Sequence, residues 1–308
     1  MINRILIRIK ILQIVFAFYR NGNDDPNVAE HELLFSLRKS YDLYYYFLLL
    51  IIEVTRMQER RLDVRRHRYH PTEDELNPNI RLVNNRFASQ LESNLMLQQY
   101  VKEHSISWAN ETGFVKKVLS LILDSDFYHS YMHSAEDTYE ADREFWRMVF
   151  KKLICGNEEL EEALGDISIY WNDDIEIIES FVIKTIKRFD ESEGSRQELM
   201  PMFKDSEDYD FALNLFRHTL RDGDAYRERI IRHLKNWEME RIAGMDLIIM
   251  QVALAEIIHF PNIPISVTLN EYIDAAKYYS TPKSATFING LLDSVVKELK
   301  KEKLLLKD

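Results

Sequence analysis

A single cysteine, eight glycines and seven prolines are all that 308 residues contain of the types that staple or break a chain. One cysteine, Cys155, cannot form an intrachain disulfide, so a reducing compartment, the cytoplasm, is expected. So few breakers predict long helices with few tight turns. No two of the glycines, at 22, 113, 156, 165, 194, 223, 244 and 290, lie two positions apart. Neither a GxGxxG turn nor a P-loop can therefore be written, and there is no GxSxG elbow, which removes the common nucleotide-dependent and serine-hydrolase chemistries. The apolar run from Tyr41 to Ile52 is too short to cross a bilayer, which takes about 20 residues, and Asp42 interrupts it. Period-2 alternation nowhere persists, so strands are not predicted. An enzyme is not expected, and no cofactor.

What is present is helical patterning. Residues 1–20 read as a core helix with a basic start; the same charges followed by an apolar run also describe a targeting segment, but no small-residue cleavage site follows. Asn23 to Asn27 is a loop, and Val28 to about His67 is one long helix or two stacked ones. His70 to Asn79 is a linker. Helices are predicted over Asn85 to Glu103, Gly113 to Leu123, Ala141 to Ile154, Asn157 to Leu164, Asp173 to Phe189, Asp205 to Arg221 and Ala225 to Lys235. The connector Asp190 to Gln197, rich in Glu and Ser, reads as a mobile loop.

The most sharply punctuated stretch is Trp237 to Val296. Its first pattern, through residues 247–258, is almost wholly apolar apart from Asp246 just before it, which suits a helix buried on all sides. Pro261 and Pro264 end it. Ser266 is placed to cap a second helix from about Val267 to Tyr279. Thr281 and Pro282 form a start signal for a third. On that third helix Ala285, Ile288, Leu291, Leu292, Val295 and Leu299 make one stripe, and Phe287 lies about 100° from its centre, near Lys283 and Gly290.

The formal net charge is −11. Its distribution matters more than its sum. Glu136 to Glu193 holds 17 acids against 7 Lys and Arg, whereas residues 1–20 carry Arg4, Arg8, Lys10 and Arg20 with no acid. Cations in the first turns of a helix oppose its macrodipole, so helix stability does not account for Arg4 and Arg8. They share a face at a helix N-terminus, which is a phosphate-binding arrangement; pairing with acids elsewhere in the chain is the other reading. The run Arg56, Arg60, Arg61, Arg65, Arg66 and Arg68 reads as a solvated helix end more readily than as a nucleic-acid patch.

His129 and His133 sit four apart near Asp126 and Glu136, but the H-E-x-x-H glutamate is missing, so no metal site is expected there or at His67 with His70. Cys155 follows an apolar run and reads as a core thiol.

The runs R-I-A-G-M-D, A-L-A-E, N-I-P, L-N-E, A-K and F-I-N-G-L-L-D, in this order, resemble the C-terminal half of the NusB transcription antitermination factors. Arg4, Arg8, Leu12 and Gln13 resemble that family's arginine-rich first helix. The resemblance implies an all-α, NusB-like helical bundle, enlarged here by extra helices in the middle. It implies one unit over 1–308: a basic first helix at 1–20, a family-atypical extension at 21–200 and a NusB-like core at 201–308. It also implies a protein that binds boxA-type single-stranded RNA with a small-subunit ribosomal protein, loads onto RNA polymerase and promotes read-through of rRNA operons.

Carried over, Arg4 and Arg8 match the arginines that contact RNA phosphates, with Lys10 beside them. Phe287 matches the phenylalanine of the F-V-N-G motif, and with Lys283 it suits stacking of an unpaired base. Asp246 matches an acidic position at the ribosomal-protein surface, and Asn289 and Gly290 serve helix packing. Leu247 and Gln251 stand where the family has Arg, and Phe16 where it has Tyr. Lys283 places its charge about one turn from the family's usual lysine. The alternative is a protein-interaction scaffold with no RNA role, whose acidic surface includes Asp173, Asp174 and Glu176.

Overall fold

The computed structural model describes residues 1–22, 25–234 and 242–305. Asn23 of the predicted loop, Lys235 at a predicted helix end, and Trp237 and Arg241 of the punctuated stretch lie outside the described residues. The fold is all-α: no strand occurs among the described residues, only an isolated parallel bridge between Ile2 and Phe203. No described helix is long and apolar enough to cross a membrane.

Two compact units divide the chain. The first holds Met1 and Arg38–Met202, the second Ile2–Leu37 with Phe203–Asp308. Helix α1 is Arg4–Arg20 and α2 is Pro26–Arg66, one continuous helix of 41 residues whose N-terminal part, to Leu37, belongs to the second unit.

In the first unit, the predicted linker holds one helical turn, α3 (Glu73–Leu76), closed by a reciprocal Thr72/Glu75 capping box. The predicted helix over Asn85 to Glu103 is two helices, α4 (Arg86–Glu92) and α5 (Leu95–His104). Its break lies at Asn94, which is buried: the side-chain oxygen accepts from Leu97 N at 3.0 Å while the amide donates to Gln197 O at 2.7 Å. An asparagine inside an otherwise helical pattern competes for backbone groups and starts a new helix. Then come α6 (Thr112–Leu123), α7 (Asp126–His133) and α8 (Tyr139–Val149), which passes into a π-helical turn at Phe150–Ile154. Helices α9 (Glu158–Ile167) and α10 (Ile175–Arg188) follow. The connector expected to be mobile is a 3₁₀ segment, Glu191–Arg196, and it is tied down. Gln90 Nε2 donates to Asp190 O and Gly194 O, and Asp190 N donates to Gln197 Oε1. Gly194 has φ +51°, a backbone that favours glycine there.

The second unit is built on α13 (Gly244–His259). All ten of its residues from Ile248 to Ile257 are buried, as is Asp246, and α1, α11 (Ser206–Arg221), α12 (Gly223–Arg232), α14 (Ile265–Tyr279) and α15 (Ser284–Lys301) all pack on it. A helix surrounded in this way can be apolar on every face, which explains its composition. Two predicted starts shift. Ser266 lies inside α14, whose N-cap position is Pro264 with no side-chain cap, and α15 begins two residues after Pro282. In that last case Thr281 bonds Ser284 Oγ instead of capping the helix.

Candidate nucleic-acid interface

The arginines of α1 do not behave alike. Arg4 remains partly accessible at the first turn, where its Nε donates to Asp208 Oδ1 at 3.0 Å and its guanidinium lies over the Phe211 ring. Arg8 is buried at 6 % exposure, and its fork closes on Glu256 through Nε to Oε2 and Nη2 to Oε1, both 2.8 Å. Thr268 Oγ1 and Tyr272 OH donate to the same carboxylate, so Glu256 joins α1, α13 and α14. Burial alone would pull the Arg8 pKa down, and the Glu256 bonds more than reverse it, leaving it raised. Burial, reinforced by Glu256, pushes the Tyr272 phenol well above its usual range. An internal ion pair thus takes the place of the phosphate contact expected of Arg8. Lys10, expected beside it on the RNA, is buried as well. Glu256 stands in an otherwise apolar run, and its one signal in the sequence is an acid at a core position of a helix, which demands a partner.

The start of α15 is organised by Asp246. Its carboxylate, expected at a partner surface, is 5 % exposed and accepts from Ser280 Oγ and, at 2.8 Å, from Ser284 Oγ. Ser284 also bonds Ser280 and Thr281, so one buried acid pins the α14–α15 turn to the first turn of α13. Inward-facing hydroxyls are the reason the carboxylate turns away from solvent.

Beyond that anchor the outer face of α15 is open. Lys283 is exposed and Phe287 half-buried. Asn289 and Gly290, expected to serve packing, are exposed, and a Cβ at Gly290 would meet no atom within 4 Å. Lys283, Phe287 and Gly290 share one helical face by their spacing. Tyr278, in the last turn of α14 and two residues before Ser280, is 84 % exposed, an aromatic not among the residues expected at the site. Of the predicted stripe, Ile288, Leu291, Leu292, Val295 and Leu299 are buried and Ala285, in the first turn, is half-buried.

Arg8 and the start of α15 are held at different points along α13. Arg8 is bound at Glu256 and Ser284 at Asp246, ten residues along α13, a rise of about 15 Å. The Phe16 ring lies 3.7 Å from where a Cβ on Gly244 would stand, so α1 runs antiparallel to α13. Phe16, and not Arg4 or Arg8, is at the Asp246 end.

Other candidates resolve in the same terms. Arg56 pairs with Glu53 and Glu92, Arg60 with Glu53 and Arg68 with Glu75. Asp174 of the acidic surface is buried and accepts from Ser40 Oγ at 2.6 Å. Burial and the nearby Glu179 push the Cys155 thiol up to about 12, which leaves it a poor nucleophile.

The NusB family model matches residues 174–297, beginning inside the segment read as family-atypical. The transcription antitermination protein NusB of Salinibacter ruber is 36% identical over 124 residues, 38% of this chain and 78% of that protein. That of Koribacter versatilis is 40% identical over 93 residues, 30% of this chain and 64% of the relative. A solved structure of T. maritima NusB is 27% identical, covering 45% of this chain and 85% of that one, with a TM-score of 0.29. With more than three quarters of the Salinibacter protein spanned at that identity, the chain belongs to the NusB family.

Proposed function

We propose that the protein is a transcription antitermination factor that binds boxA-type single-stranded RNA together with a small-subunit ribosomal protein, engages RNA polymerase through that complex and promotes read-through of rRNA operons. In this reading the first helix and residues 201–308 supply the antitermination module, and 21–200 elaborates it. The observation that carries the reading is the open face of α15, where exposed Lys283, half-buried Phe287 and the clear space at Gly290 stand on a helix start locked by Asp246. A cation beside a ring with room for a base is the arrangement that holds unpaired nucleotides. Arg4 is the one member of the first-helix set positioned to add a phosphate contact, by exchanging Asp208 for RNA. Asp246 acts from below, holding the surface on which RNA and partner meet.

The test is a salt-titrated fluorescence anisotropy assay on a short boxA-like RNA, with and without the ribosomal protein. Phe287→Ala should weaken binding by about 1–3 kcal/mol with an unchanged salt slope. Lys283→Ala should weaken it and reduce the slope by about 1. Unaltered affinity in both variants overturns the assignment.

A further inference from the structure

Helix α11 ends at Arg221 with Asp222 as its C-cap residue, and α13 ends at His259. At this meeting point the His218 and His259 imidazoles lie face to face, with ring centroids 3.7 Å apart and planes within 6°. Asp222 Oδ2 stands 3.3 Å from His259 Nε2 and 4.0 Å from His218 Nδ1. One donor atom from each of the three lies within 4.8 Å of the others, and all three side chains are half-buried, open to solvent on one side. His218 and Asp222 are four apart on one helix end, and the third donor comes from a different helix, so the set is held by tertiary packing.

We propose that His218, Asp222 and His259 form a site for a borderline divalent cation of the zinc class, clamping the end of α11 to the end of α13. Two imidazoles and one carboxylate are a donor set that such ions take, with a position left for water. Tyr226 OH lies 3.4 Å from Asp222 Oδ2, within reach to orient that carboxylate, and 3.0 Å from His259 Nε2, a hydrogen bond that the ion would replace.

Arg221 stands in for the cation. Its Nη2 is 2.8 Å from His218 Nδ1, and its fork holds both Asp222 oxygens, at 2.9 and 2.6 Å. The Arg221 side chain is 62% exposed, so it can leave for water at little desolvation cost while the ion enters. Arginine and metal therefore compete for one carboxylate.

Titrating the full chain with Co²⁺, read by visible absorption, and with Zn²⁺, read by calorimetry, tests this. One ion per chain should bind. His218→Gln and His259→Gln should each weaken binding by at least the ~10–100-fold that loss of a mere supporting residue costs. Arg221→Ala should tighten it, and because that side chain is exposed this variant keeps the fold. Zn²⁺ should raise the Tm of the native chain and of the Arg221→Ala protein, but not that of a protein carrying both His218→Gln and His259→Gln. Absence of Co²⁺ and Zn²⁺ binding, equal affinity in the histidine variants, or weaker binding in Arg221→Ala overturns the proposal.

Discussion

Glu256 and Glu179 are both buried acids, and they meet opposite fates. Glu256 is surrounded by Arg8, Thr268 and Tyr272. Removing one partner of such a buried pair strands the other charge, so Arg8→Ala should destabilise the second unit by about 3–5 kcal/mol, seen as a lower midpoint in denaturant, with the salt slope of RNA binding unchanged. A slope reduced by about 1 would put Arg8 back on the phosphates. Glu179 is 1 % exposed, and no cation or hydroxyl is bonded to its carboxyl among the described residues. Burial pushes its pKa from 4.5 to about 7. The folded state therefore binds this proton more tightly than the unfolded chain, and stability should fall as pH rises from about 4.5 to about 7 and then level off. Glu179→Gln should flatten that slope and raise stability at pH 8, by up to ~3 kcal/mol; equal melting profiles of the two proteins across this range would refute the assignment. An acidic residue could be read in the sequence at both positions. Which one has partners depends on side chains more than ten positions away.

At the scale of elements, the helix interiors were legible and the ends less so. The stripe on α15 and the apolar span of α13 follow from 3.6-residue spacing, because a helix face is a local property. The break at Asn94, the single turn of α3 and the delayed start of α15 are settled by competing hydrogen bonds: Asn94 to Gln197, Thr72 to Glu75, Thr281 to Ser284. Capping residues are common in the sequence, and only the neighbours choose among them. Asn94→Ala should cost about 1–2 kcal/mol through loss of the cap, measured by chemical denaturation. On α15, Gly290 has helical surroundings and no neighbour at its Cβ position. Gly290→Ala should thus stabilise the helix by up to about 1 kcal/mol while reducing RNA affinity, if a nucleotide packs against the bare backbone. A gain in stability with affinity retained would place the RNA elsewhere.

Across the whole molecule, a net charge of −11 repels nucleic acid at long range, so the RNA recognition we propose has to rest on a small local surface. With one or two phosphate contacts, log affinity should fall against log salt with a slope of about −1 to −2, and random duplex should not compete. A slope near −5 would instead implicate a cation run such as Arg56–Arg68. By itself the sequence determined the helical class, the buried central helix and the family resemblance of the C-terminal half, because periodicity, breaker content and motif order are properties of neighbours along the chain. The tertiary structure alone decided that Arg8 is an internal counter-ion, that Asp246 faces Ser280 and Ser284, and that Arg8 and the start of α15 are fastened to different ends of α13. It also assembled His218, Asp222 and His259. Each of these depends on which distant group comes within 3 or 4 Å, and an unpaired charge in the interior is too costly to leave that choice open.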